Sequence, residues 1–502
     1  MKKFYLTILL VLLAFKLNAQ DNNTFKQSYE SFKNAAIQKY VDFRKKANEQ
    51  YAAFLKEAWK QSKILPKVQL PKEEETPPVE YDGKQKGNNK YIELDGVIDQ
   101  TPPLPQPRPI SPIHENDEDQ QYYTFSFYGT EMKVRFDPSL VERVNKIDGN
   151  RLGEAWAKMS SDRYNNLIRD CLELRIRHKL CDWAYYKMLE ALSESVCGGK
   201  GNDAVLLQAY LYAQSGYKMR LATSNGKLLL MFNSNNLLFD YGGLKLDDGY
   251  FYTTDKLKEG EELNVCDTPF PNESPMSMDV IDEPILSDNF SQERSIKAQS
   301  CPIETRCKVN KNLIAFFTDY PTSYSDDNFM TRWRYYANTP LSESVKLELY
   351  PQLKGSLRDK DLLTAANMLL NYVQTGFEYE YDDKVWGHDR AFFAEETLYY
   401  PYCDCEDRAI LYSRLVRDLL GLDVVLVYYP GHMCTAVNFP DGAHGDYVVL
   451  DGKPFTISDP TYIGAPIGAT MPGMDNKRAK VILLTHIAAG PRLTPAIMCK
   501  FS

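Results

Sequence analysis

Apolar positions along this chain follow three different spacings, and each predicts a different kind of element. From Thr24 to Leu65, Phe25, Tyr29, Phe32, Ala36, Tyr40, Phe43, Ala47, Tyr51, Phe54 and Ala58 recur at steps of three and four, the spacing of one helix face. The pattern predicts a single long amphipathic helix within 20–65, stopped by Pro66. Its aromatic and alanine stripe reads as a surface that docks on the rest of the protein. Periodicity is lost over 66–120, where Pro, Glu, Lys and Asn dominate around Pro102-Pro103-Leu104-Pro105-Gln106-Pro107; this predicts a semi-extended linker. A second linker is predicted over 256–312, with Pro269, Pro271, Pro275 and Pro284 among acidic and serine residues.

The remainder reads as helices and short strands. Tyr122 to Phe136 predicts a hairpin turning at Gly129, followed by helices through Glu194; Val345 to Tyr350 alternates like a strand, and Asp359 to Thr375 reads as a helix. Two stretches share one layout, an apolar helix, a glycine and then two strands, at a constant offset of 205: Ala204 matches Ala409, Gly216 matches Gly421, and Gly226 matches Gly431. Self-similarity at a fixed shift implies duplication of a structural unit. The predicted units are 121–255 and 313–502. In the first, Lys200 and Lys227 stand where Cys405 and His432 stand in the second.

At 502 residues, the chain is long enough for two or three cores. A net charge of −9 argues against nucleic acid and against a polybasic membrane contact. Residues 1–19 read as a signal peptide: Lys2 and Lys3 precede an apolar run to Phe15, and Leu17-Asn18-Ala19 supplies small-residue cleavage. No later stretch is apolar enough to span a bilayer. The expectation is an exported protein, in the periplasm, on the cell surface or secreted, where disulfides form. Of the ten cysteines, Cys301 and Cys307 are the first pair suggested by position.

The chemistry concentrates in Cys403-Asp404-Cys405-Glu406-Asp407-Arg408-Ala409, which opens the apolar run Ile410 to Leu420 ended by Gly421. A thiol at a helix N-terminus is expected to have a lowered pKa and to be nucleophilic. Gly431-His432 opens a following strand whose one face carries His432, Cys434 and Ala436, so that the ring is expected to look back at the helix end. Asp459 precedes Pro460 at the end of a later strand, and Asp451-Gly452 predicts the hairpin that brings that strand alongside. Nucleophile, base and orienting acid therefore occur in order. A different class of site uses the same residues: Cys403, Cys405, His432 and Cys434 are four soft ligands for a structural zinc. A third class is a non-catalytic binding or scaffold protein.

Cys405-Glu406-Asp407-Arg408-Ala409, Gly431-His432 and Asp459-Pro460-Thr461 resemble the transglutaminase-like superfamily of papain-related cysteine enzymes. The resemblance covers roughly residues 362–462, about a fifth of the chain. It implies an α+β fold, transglutaminase-like or papain-like, with a central helix on an antiparallel sheet, here in two tandem copies of which the first is degenerate. It also implies a Cys405–His432–Asp459 triad that cleaves or transfers amide bonds of proteins or peptides, cell-envelope material among them, through a thioester. No metal or cofactor is required by that chemistry. The family's additional oxyanion-binding side chain has no clear match; Tyr399, Tyr400 and Trp386 are the candidates.

Overall fold

A computed structural model describes residues 22–57, 59–69, 71, 76–83, 89–99, 104–116 and 121–485, with side chains from residue 38 onward. The predicted signal peptide and Cys499 lie outside the described residues. The fold is mixed α+β with two curled six-stranded sheets.

Both sheets share one strand order, although the edge strand is antiparallel to its neighbour in the first and parallel in the second. The first runs Gly242–Leu246, Gly249–Thr253, Lys227–Asn233, Met219–Ser224, Glu262–Cys266 and, at its edge, Lys60–Lys63. The second runs Tyr447–Leu450, Lys453–Ser458, His432–Val437, Val424–Tyr429, Lys480–Leu483 and, at its edge, Gly96–Ile98. Read by chain order within each set, the two sequences of strands are identical. A helix precedes each pair of central strands, Asn202–Gln214 in the first and Cys405–Leu420 in the second. The matched turn glycines share a backbone conformation as well, with φ of +75° at Gly226 and +76° at Gly431. One continuous core, from Ala47 to Leu484, joins the two halves. Separate apolar clusters back the outer face of each sheet, Ala222, Leu229 and Met231 in one, Val427, Cys434 and Ala436 in the other.

The N-terminal helix, Asn22–Phe54, is shorter than the periodicity suggested, and Lys60–Lys63 beyond it is strand rather than helix. Its C-terminal half packs as expected: Ala47, Tyr51 and Ala52 are buried, and the Trp156 indole N–H donates to Asn48 Oδ1 at 3.0 Å. The stretch 66–120 is not a free connector. Val68 bridges Phe239, the Thr76 N–H donates to the Gly431 carbonyl at 2.8 Å, Val79–Glu80 pairs in parallel with Tyr462–Ile463, and Gly96–Ile98 closes the second sheet. The stretch 256–312 likewise holds Glu262–Cys266 and a hairpin of Arg294–Lys297 with Glu304–Cys307. Cys301 and Cys307 are free thiols here, as are the other described cysteines.

Val345 to Tyr350 is helical, within Glu343–Ser356. Val345, Leu349 and Leu353 are buried at a spacing of four while Leu347 is 75% exposed, so the alternation that mimicked a strand has one member facing solvent. The Ser342 hydroxyl caps this helix by accepting from the Val345 N–H.

How tightly the 66–120 stretch is held can be tested at Gly216. Its φ is +93°, and a Cβ there would lie 2.0 Å from the Arg108 carbonyl oxygen. Gly216→Ala is expected to destabilise the protein by about 2 kcal/mol or more through combined backbone strain and displacement of that segment. Urea unfolding would measure it, and an unchanged midpoint would mean that the segment is not anchored there.

Candidate functional site

The helix Cys405–Leu420 begins where its sequence provides a reciprocal cap. The Asp404 carboxylate accepts from the Asp407 N–H, and Asp407 accepts from the Asp404 N–H, each at 3.3 Å. The other Asp407 oxygen accepts from the Phe392 N–H at 2.7 Å. Gly421, at φ +67°, ends the helix in the left-handed conformation expected of a C-terminal glycine. Arg408 ties the first turn to the helix Leu362–Gly376 by donating to the Gln374 and Phe377 carbonyls at 3.2 and 2.8 Å.

His432 opens its strand immediately after the turn at Gly431, with Tyr429 as its cross-strand partner. The neighbouring strand, Lys453–Ser458, pairs from Thr435 onward, so Asp459 stands just past that strand's end. Asp459 Oδ1 accepts from the Thr461 and Tyr462 N–H groups at 2.9 and 3.2 Å, which leaves Oδ2 for His432 Nε2 at 2.9 Å. A carboxylate only accepts. The Asp459 partner therefore requires a proton on Nε2, and in the neutral ring Nδ1 carries the lone pair. Nδ1 is buried and has no hydrogen-bond partner. The backbone N–H of the next residue, Met433, faces the thiol and acts to lower its pKa. His432 and Asp459 are hydrogen-bonded to each other, the Cys405 thiol does not hydrogen-bond His432, and all three residues are at most 3% exposed.

Two details depart from expectation. The thiol pKa is raised well above its ordinary value rather than lowered: burial is the main cause, with Glu406 and Asp404 adding to it. The helix N-terminus and the Met433 N–H do not outweigh these effects. The thiol donates instead to Glu406 Oε2 at 3.3 Å. In addition, Cys434 and Ala436 pack into the apolar cluster on the outer face of the sheet, whereas Met433 and Val437 face the helix side. Tyr429, the cross-strand partner of His432, lies in the same outer cluster as Cys434.

That arrangement removes the zinc alternative. Cys434 points into the outer cluster, and the Cys403 thiol donates to the Glu378 carbonyl at 3.6 Å. Cys403, Cys405, His432 and Cys434 therefore do not converge. Groups of three His, Cys, Asp or Glu ligand atoms do gather nearby, at Asp404–Cys405–Glu406 and at Asp382–Asp389–Glu406. Sequence reasoning missed Glu406 as a thiol partner and passed over Asp382 and Asp389, which lie in an aromatic-rich stretch without helical or strand periodicity.

The oxyanion candidates form a separate aromatic group. Trp386 and Tyr399 each meet the Tyr400 ring at 4.9 Å between centroids. The Arg390 guanidinium lies 4.3 Å from the Trp386 ring centroid, and the Tyr400 hydroxyl bonds Thr318 Oγ1 at 3.3 Å. None of the three hydrogen-bonds Cys405, His432 or Asp459.

At the offset of 205, Lys200 and Lys227 stand at the positions of Cys405 and His432. Lys200 pairs with Asp255 at 2.9 Å. The small cavity they line with Glu190, Glu194 and Thr254 has a volume of about 10 Å³, room for about one water.

No protein-family profile, no curated protein and no solved structure matches this chain. Among the described residues, no helix is long and apolar enough to cross a membrane.

Proposed function

We propose that the second unit is a transglutaminase-like cysteine hydrolase acting on amide bonds of exported or cell-envelope proteins or peptides. The observation that carries this reading is the buried His432–Asp459 pair, with His432 Nδ1 left unpartnered and the backbone N–H of the next residue facing Cys405 Sγ. A buried imidazole nitrogen without a partner is costly to keep, and it suits a base reserved for a reacting proton. In the proposed reaction, Cys405 gives its proton to His432 Nδ1 as Sγ attacks the amide carbon. The imidazolium then protonates the departing amine, leaving an acyl thioester. Water, deprotonated by the same ring, releases the acid and restores the thiol. Asp459 holds the ring and offsets its positive charge.

Substrate entry then requires a shift of the covering elements. The Thr76 backbone on the Gly431 carbonyl and the Val79–Glu80 pairing beside Tyr462 border the His432–Asp459 pair. Once water or substrate enters, the burial that holds the thiol protonated is relieved. The first unit is proposed to be a degenerate copy of the same fold. Identical strand order and matched glycine conformations support duplication, and the Lys200–Asp255 pair stands in for the missing nucleophile.

The test is covalent labelling with iodoacetamide, followed by mass spectrometry of each cysteine peptide. Cys405 is expected to react fastest of the ten, and His432→Ala is expected to slow it at least tenfold at pH 7 in protein that remains folded. Equal labelling in the wild type and His432→Ala would remove the imidazole from the chemistry.

A further inference from the structure

Outside the triad, one buried side chain bonds several points of the loop that positions the acid. Gln374, 2% exposed, projects from the helix Leu362–Gly376. Its Nε2 group donates to the carbonyls of Asp459, Tyr462 and Ala465 at 3.0, 2.7 and 3.0 Å, and its Oε1 accepts from the Gly464 N–H at 3.2 Å. Two amide protons are thus shared among three carbonyls drawn to a single point. Seven residues earlier, Asn367 Oδ1 accepts from the Ile467 N–H at 2.8 Å. Residues seven apart lie on nearly the same helix face, so one face of this helix clamps both ends of the loop 459–467.

The backbone of Gln374 is engaged as well, since its carbonyl accepts from Arg408 on the thiol helix. One residue therefore links the helix that carries Cys405 to the loop that carries Asp459. The orientation of the Asp459 carboxylate follows from the same loop: Oδ1 is held by the N–H groups of Thr461 and Tyr462, and only then does Oδ2 face His432 Nε2.

We propose that Gln374 is a positioning residue for the triad: its side-chain amide sets the turn after Asp459 and so selects the His432 tautomer whose Nδ1 is free for the thiol. This rests on the triad reading above. Gln374 touches neither substrate nor thiol and acts entirely through Asp459.

The experiment reads the tautomer directly, using long-range ¹H–¹⁵N correlation spectra of the full chain labelled at histidine, with His432 assigned from His432→Gln. The wild type is expected to show a single Nε2–H form of His432. In Gln374→Met, which keeps side-chain length but loses both donors and the acceptor, a mixture with the Nδ1–H form is expected, together with at least a tenfold loss in the rate of Cys405 labelling by iodoacetamide. If the Met variant does not fold, Gln374→Glu, which keeps the acceptor for Gly464 and loses the donors, provides the same readout. Asn367→Ala is the control. It releases the far end of the loop at Ile467, so it is expected to lower the melting temperature while leaving the His432 spectrum as in the wild type. A folded Gln374 variant with an unchanged spectrum and labelling rate overturns the positioning role while leaving the triad intact. A wild type without a single Nε2–H form overturns the triad reading and this proposal with it.

Discussion

Asp459→Asn is expected to lower amide turnover by about 10⁴ while the protein stays folded, the scale of loss seen when a triad carboxylate becomes an amide that favours the wrong imidazole tautomer. The local geometry gives the reason. The substituted side chain would keep its Oδ1 on the Thr461 and Tyr462 N–H groups, because those two donors require an acceptor. Its NH₂ group would then occupy the place of Oδ2, 2.9 Å from His432 Nε2. A donor there turns Nε2 into an acceptor and drives the proton to Nδ1, the nitrogen meant to receive the thiol proton. Amine release from a mixed peptide pool, at equal concentrations of folded wild type and variant, would measure the loss. Asp459→Ala is expected to be less damaging than Asp459→Asn, since it leaves the tautomer unbiased instead of reversed. Equal activity in the wild type and Asp459→Asn would eliminate the orienting role and leave His432 without a defined base nitrogen.

What could be read from sequence at this site was local in character. The helix end at Gly421 and the hairpin at Asp451-Gly452, with φ of +48° and +76°, each follow from one or two residues whose backbone preferences are strong. The offset of 205 was also legible, because paired glycines punctuate matching helices and strands, and the two sheets do share a strand order. What escaped was non-local. Lys60–Lys63 and Gly96–Ile98 are short edge strands with little apolar alternation, so nothing in their own residues announces the partners Glu262–Cys266 and Lys480–Leu483. Periodicity of two put Cys434 and Ala436 on one face of their strand, but both faces of that sheet are covered by apolar clusters. Alternation could not say which face meets the helix. The raised thiol pKa escaped as well. Motif reasoning places Cys405 at a helix end, but burial and the Glu406 and Asp404 charges beside the thiol outweigh that end.

The same burial carries a consequence for the whole molecule: its stability is expected to fall as pH rises from about 5 to 8. Burial lifts the Asp382 carboxyl to about 10, aided by the nearby charges of Asp407 and Glu406. Burial likewise lifts Glu395 and Glu396 to about 7. Asp407 moves in the same direction, from burial first and Glu406 second. In the unfolded chain these groups ionise near 3.8 for Asp and 4.5 for Glu. Above those values the folded state retains protons that the unfolded state has released, so raising the pH favours unfolding. The contribution is fully present below about pH 4 and is lost as pH climbs through 7 for the two glutamates and towards 10 for Asp382. One retained proton is worth about 1.4 kcal/mol per pH unit. Three such groups set an upper slope of about 4 kcal/mol per unit between pH 5 and 7, and a quarter of that would still be visible. The exposed carboxylates with lowered pKa values, such as Glu115 and Asp361, act in the opposite sense but only below about pH 4.5, outside this window. Thermal melts from pH 4.5 to 8.5 are expected to show a maximum near pH 5 and a midpoint that declines by several degrees towards pH 8. Asp382→Asn keeps an oxygen to accept from the Arg390 N–H and removes the group that ionises. It should flatten the decline and raise the midpoint most at the alkaline end. A midpoint that rises from pH 5 to 8 in the wild type would mean that these carboxyls are already ionised in the folded protein, and the prediction would fail.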